Sequence, residues 1–385
     1  MKTFKLAIYL IALAVVPVVC LWFPFFSRTP EVLGVQIPEG GMQIIAANYD
    51  GPLYIAVAKS LYNLPYIAEN FSFSLPLEYY AAHFPVYPMI IRLFASLVGY
   101  PWGMLLATLA GSTITIYYFY MFIKRYVSKK DALWLVAVFS IFPARWLIVR
   151  TVGSPEPLFV GAILASVYHF GKKQFWLAAI WGVVAQLTKS PGILLFIAYI
   201  GALIIPKLAG LATNHNFVKW VKSIEYKAYP IILIPLSLLS LFYFYYLKFG
   251  NFLAYFNSGD NIHLLFPPFQ IFNYSQPWVN THWLEEIIFV YVLCLFGLLK
   301  LIKKKQTVLA WFTGIFIVSV FFVSHRDIVR YALPILPFIF VAFSKELASR
   351  EFKIIMAIII IPVYLFSLAF IANNVMPISD WGPLL

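Results

Sequence analysis

The sequence predicts an all-α, polytopic membrane protein of about eleven transmembrane helices, and three observations carry that prediction. Of its 385 residues, 62% are hydrophobic and only 11% are charged, against about 25% charged in soluble domains. Mean hydropathy is +0.86. Apolar runs close to the ~20 residues a span requires recur along the whole chain. Lipid offers no hydrogen-bond partners, so each span must satisfy its own backbone as a helix.

The first run, 6–26, resembles a signal peptide in position only. It exceeds the usual length of an apolar signal core, and no small-x-small cleavage site follows it. The stretch "PVVC" suggests a lipoprotein box, but Val19 before Cys20 is too bulky. It therefore reads as a retained first span. Ten further runs follow, near 101–123, 132–149, 155–170, 175–189, 191–206, 229–247, 286–302, 307–323, 331–344 and 354–372. Two segments between them are long, 27–83 and 248–285, and loops of that length usually carry function. The whole, 1–385, reads as one transmembrane unit: a first long loop with short juxtamembrane helices, core spans over 84–247, the second long loop, and C-terminal spans over 286–385. Both cysteines, Cys20 and Cys294, fall in apolar runs and say nothing about redox compartment.

Charge gives the expected orientation. With the N-terminus in the cytoplasm, nineteen of the 28 Lys and Arg lie inside and nine outside; four of the 15 Asp and Glu lie inside and eleven outside. The inner face then carries 19 − 4 = +15 and the outer face 9 − 11 = −2, which sum to the formal +13. Such asymmetry follows the positive-inside rule. It accounts for the basic balance without a nucleic-acid partner.

Ionisable groups near the outer ends of spans are costly in lipid and are functional candidates. In "NYDGPLYIAVAKSLYN", Asp50 precedes a Gly-Pro pair and what reads as a short amphipathic helix, so it is either a helix cap or a working carboxylate. The first loop also brings Glu69, Glu78 and His83, followed by Arg92, which can snorkel from an interfacial helix. Arg145, Arg150 and Glu156 in "ARWLIVRTVGSPEPLF" read as part of a site or as an ion pair between adjacent spans. Lys189, in "QLTKSPGILL", sits between apolar runs with no acidic partner near it in sequence. Lys248, His325, Arg326, Asp327 and Arg330 complete the set, with Arg326 and Asp327 open to a simple loop salt bridge. The predicted topology puts all of these at one membrane surface. His83 and His325 lack companion ligands at metal-site spacing. Asn70 and Asn273 open N-x-S triplets, a short pattern that arises by chance.

Several of these stretches occur together, in order, in a known family. The protein resembles the GT-C superfamily of integral membrane glycosyltransferases, and within it the GPI mannosyltransferase 2 (PIG-V-like) type. The resemblance rests on Tyr49, Asp50, Tyr54, Ile55 and Ala56; on Phe84, Pro85, Tyr87, Pro88, Ile91 and Arg92; and on Ser154, Glu156, Leu158 and Phe159. It continues with Leu187 to Gly192, where Lys189 replaces the usual Arg, then with Phe249 to Phe256 and Arg330 to Pro337.

This resemblance implies transfer of a sugar, mannose in that family, from a polyprenyl- or dolichyl-phosphate donor. The acceptor would be a lipid, glycan or protein, the reaction would lie on the extracytoplasmic side, and the anomeric centre would invert. The residues suit that chemistry. Asp50 is the general base expected to take the acceptor hydroxyl's proton, with Glu156 as second carboxylate. Lys189, Arg330, Arg326, Lys248 and Arg150 are the cations expected to hold the donor phosphate. Tyr49, Tyr54, His83 and Tyr87 are the expected acceptor or sugar contacts. Some relatives bind a divalent cation, although no ligand cluster here argues for one. The membrane would be the plasma membrane in a prokaryote and the endoplasmic reticulum in a eukaryote. Two other readings stand beside this one: a transporter or flippase for a lipid-linked sugar, and a non-catalytic subunit of an envelope assembly.

Overall fold

Helices follow the apolar runs. The structure, a computed structural model, describes residues 3–73, 75–214, 225–259, 263–273, 284–325 and 327–385. Among these the regular structure is helical apart from one small antiparallel hairpin, Glu31–Val32 against Val35–Gln36. Each of the eleven predicted runs falls on helix, and the protein is an integral membrane protein of all-α architecture.

The count of eleven full spans is not reproduced. Among the described residues, five helices are long and apolar enough to cross a membrane: Phe4–Phe26, Tyr100–Ile123, Ser190–Lys207, Tyr226–Phe249 and Arg350–Asn373. A sixth is reached by joining Lys129–Ile141 to Ala144–Thr151 across a 69° bend. Pro143 lies at that bend, where it offers no N–H to continue the ladder. Run 286–302 lies on the 20-residue helix Leu284–Lys303, which carries Glu285, Glu286, Lys300 and Lys303 at its ends. The remaining runs are shorter helices, among them Glu156–Phe170, Phe175–Gln186 and Thr307–Phe321. At 1.5 Å per residue, a 15-residue helix reaches only ~22 Å of a ~30 Å hydrocarbon layer. Hydropathy overcounted because apolar residues continue past the helix ends, through Leu187 and through the 3-10 turn Leu333–Ile335.

Close packing depends on small residues. Helices Tyr100–Ile123 and Glu156–Phe170 approach so nearly that a Cβ on Gly111 would stand 2.7 Å from the Leu158 nitrogen. One on Gly161 would stand 2.7 Å from Thr115 Oγ1. Glycine at such crossings lets helix backbones touch, the usual source of association where no hydrophobic drive exists. Outward faces carry exposed Ile354, Ile355, Ile358 and Ile361, as a lipid-facing helix should.

The first long loop corrects a second expectation. Helix Gly51–Ser60 is not amphipathic in place: nine of its ten residues are buried. Leu53, Ile55, Ala56 and Val57 share one apolar cluster with Ile91, Met104, Leu105, Leu147 and Ile148. The loop is therefore folded into the helix bundle. Its neighbour Val86–Val98 is the amphipathic element, exposing Met89, Leu93 and Leu97. Arg92 on that helix donates to the carbonyls of Ala58 (3.0 Å) and Lys59 (3.2 Å), capping the C-terminus of Gly51–Ser60.

Candidate active site

The turn 47–51 is held from both sides. Ala47 accepts a hydrogen bond from the Met376 amide at 2.8 Å. The Asn48 side chain, fully buried, donates to the carbonyls of Ile44 (2.8 Å) and Ile371 (3.0 Å). Tyr49 takes φ = 50°, a left-handed conformation that is uncommon for an aromatic residue and needs support from its surroundings. That support is visible. The Tyr49 hydroxyl accepts from Arg145 Nη1 at 3.2 Å and donates to Asp327 Oδ2 at 3.3 Å. The Arg330 guanidinium lies 4.1 Å from the centre of its ring.

Asp50 stands at the start of helix Gly51–Ser60, but its side chain makes no capping hydrogen bond. Its carbonyl accepts from Leu53 and Tyr54 at 3.0 Å each, so the backbone starts the helix unaided. No hydrogen bond or ion pair engages the Asp50 carboxylate among the described residues. It is close enough to Tyr54, His83, Arg330 and Tyr331 for its charge to act on each.

Two of the predicted cations converge on Glu156. Lys189 Nζ and Arg330 Nε both reach Glu156 Oε1 at 2.7 Å, from positions 33 and 174 residues away in sequence. Ser154 Oγ donates to the other carboxylate oxygen. The Glu156 side chain is 2% exposed, whereas Lys189 keeps 29% and Arg330 15% of theirs. Lys189 lies in the break before Ile193–Asn214, in extended backbone. The break is fastened by Val86 N to Leu187 O (3.0 Å) and by Tyr255 Oη to Ser190 Oγ (2.7 Å). Gly192 closes it, where a Cβ would collide with the Gln186 backbone.

A second buried ion pair lies alongside: Arg145 Nε to Asp327 Oδ1 at 2.9 Å. Arg145 also lies 3.8 Å from the Phe370 ring centre. Asp327 thus pairs with Arg145; the loop salt bridge considered between Arg326 and Asp327 lies outside the described residues. The signal for the Arg145 pair was available, since Arg145 sits in an apolar stretch with no nearby acid. What the sequence lacked was the partner, 182 positions later. Tyr255, in the Phe249–Phe256 stretch of the second long loop, likewise gains its partner, Ser190, only in the structure.

The remaining expected site residues fall as follows. Arg150 is not with the others: fully buried, it donates to the carbonyls of Ser140, Leu13 (3.1 Å) and Ala14 (2.9 Å), tying the first helix to the bundle. Among the described residues no ion pair joins it to Glu156, contrary to the pairing considered for that stretch. Lys248 is exposed and lies over the Phe244 ring at 5.8 Å. Tyr87 is fully buried and spends its hydroxyl on Thr108 Oγ1 (2.7 Å), which leaves it no surface for a sugar. Its ring supports Tyr54, 5.0 Å away, which in turn meets the His83 ring at 4.7 Å. His83 is 2% exposed. Burial pushes the His83 imidazole below its ordinary pKa, an effect the Asp50 charge opposes. Arg326 lies outside the described residues. Among the described residues, no group of three or more His, Cys, Asp or Glu is gathered as metal ligands.

No family model matches the chain, and no curated protein matches it in sequence. Solved structures do match in fold. The crystal structure of ArnT from Cupriavidus metallidurans bound to undecaprenyl phosphate superposes with a TM-score of 0.56 at 11% identity, over 97% of this chain and 75% of ArnT. The same protein in the apo state gives 0.51 at 12% identity, over 94% and 74%. The fold is thus the membrane fold that ArnT has.

Proposed function

With that fold as premise, we propose that the protein is a glycosyltransferase that moves a sugar from a polyprenyl-phosphate carrier to an acceptor hydroxyl. Mannose is the sugar implied by the resemblance to the GPI mannosyltransferase 2 type, and the extracytoplasmic face is the side implied by the charge asymmetry. One observation carries the reading: the Asp50 carboxylate, with no hydrogen bond or ion pair among the described residues, sits within electrostatic reach of Arg330, and Arg330 shares Glu156 with Lys189. The ArnT structure that shares the fold holds undecaprenyl phosphate, the carrier class assigned here.

In the reaction, the acceptor oxygen attacks the anomeric carbon from the face opposite the phosphate. The carbon–oxygen bond to phosphate breaks, and its electron pair leaves with the phosphate. Asp50 takes the acceptor proton as the new bond forms. Lys189 and Arg330 face the growing negative charge with fixed donors, which a partly dry site strengthens. Glu156 orients those two cations, and Tyr49 serves as a strut between Arg330 and the Arg145–Asp327 pair. A cavity of about 410 Å³, lined by Ile180, Val183, Val184, Leu233, Leu236, Ser237 and Ser240, offers apolar surface to a prenyl chain. Val184 precedes Lys189 by five residues on the chain.

The test is direct. Membranes containing the protein are incubated with labelled polyprenyl-phosphate sugars, and products are identified by mass spectrometry. A new glycosylated product that depends on the protein supports the reading. Movement of the intact lipid-linked sugar across the bilayer, without transfer, would replace it with a transporter.

A further inference from the structure

Lys189 and Arg330 do not present themselves as an empty clamp. Both direct a donor onto one oxygen of Glu156 at 2.7 Å, so a resident carboxylate already holds the place of an anionic oxygen. Glu156 cannot swing away. It is the first residue of its helix, it is 2% exposed, and Ser154 holds its other oxygen. Lysine carries three N–H donors and arginine five, so Glu156 occupies one on each and leaves the rest for a ligand entering from the exposed side. It also removes one unit of charge, so the trio carries a net +1 where two cations alone would carry +2.

We propose that Glu156 is a positioning and affinity-setting residue: it holds Lys189 and Arg330 in register and keeps the seat weak enough to release a lipid phosphate. The proposal rests on reading these two cations as the seat of a carrier phosphate. Release matters because the leaving group is a phosphomonoester, more highly charged near neutral pH than the diester that entered. A seat of two uncompensated cations would retain it. Asp50 adds to the same effect from the acceptor side, since its charge also reaches Arg330.

The experiment measures binding of undecaprenyl phosphate to the full chain in nanodiscs, without sugar or acceptor. Glu156→Gln keeps the shape and removes the charge; it is expected to bind at least tenfold tighter than wild type. Glu156→Asp keeps the charge and is expected to bind within about threefold of wild type, which guards against a loss of folding in the Gln variant. Where transfer is measurable, Glu156→Gln should lower donor KM and kcat together, as product leaves more slowly. Unchanged or weaker binding by Glu156→Gln that remains monodisperse overturns the proposal. So does the absence of lipid-phosphate binding in every variant. Tighter binding with no sugar transfer in wild type keeps this inference and discards the glycosyltransferase reading.

Discussion

Asp50→Asn separates a chemical role from a structural one, because the carboxylate holds no other described residue in place. It caps no helix, and no ion pair engages it among the described residues. The substitution is nearly isosteric, so the thermal midpoint should stay at the wild-type value. The kinetic effect should be large. A positioned general base typically contributes 10²–10⁴ in rate, which corresponds to about 3–5 kcal/mol of barrier at 1.36 kcal/mol per decade. Donor binding should move little, and not downward, since the lost negative charge acts on Arg330. The expected signature is therefore a kcat reduced 10²–10⁴-fold with donor KM unchanged or lower. Initial rates with purified protein in nanodiscs and a labelled polyprenyl-phosphate sugar measure both parameters, and a melting curve reports folding. Wild-type kcat in the variant refutes the assignment. A raised KM at constant kcat would make Asp50 a substrate contact instead.

Other substitutions test the surroundings. Lys189→Ala leaves Glu156 with one cation and should weaken undecaprenyl phosphate binding by tenfold or more, read by the same nanodisc titration; unchanged affinity removes Lys189 from the seat. Asp327→Asn leaves Arg145 unpaired in a mostly buried place and should cost roughly 3–5 kcal/mol of stability. The Arg145→Met/Asp327→Leu double variant should lose less than either single one, as a double-mutant cycle of melting curves would show. His83 is held below its ordinary pKa by burial, so the unfolded chain binds the proton first. Its stabilising contribution is complete above pH 6.5, the ordinary value, and is lost as pH falls below it. His83→Gln should flatten that acid-side decline in thermal stability, and an unaltered decline would assign it to other groups.

Much of the candidate site was legible as a list. Asp50, Glu156, Lys189 and Arg330 stood out because charge near lipid is expensive, and three of them meet within hydrogen-bond distance. The same criterion also selected Arg150, which satisfies its cost on backbone carbonyls of the first helix. Residue type alone cannot separate the two outcomes, because a buried guanidinium needs acceptors and does not specify which. Tyr87 failed for a related reason: an aromatic in a motif can face a ligand or support the residue that does, and Thr108 decides which.

From the sequence alone, the membrane class, the helical architecture and the set of isolated charges followed, because desolvation in lipid penalises each group locally and leaves a local mark. Tertiary structure decided the pairings, Lys189 and Arg330 with Glu156 and Arg145 with Asp327. It also decided the burial of helix Gly51–Ser60 and the placing of the Asp50 carboxylate with no hydrogen bond or ion pair among the described residues. Those depend on which helices become neighbours, a property of packing between segments up to 182 residues apart. No local pattern encodes it.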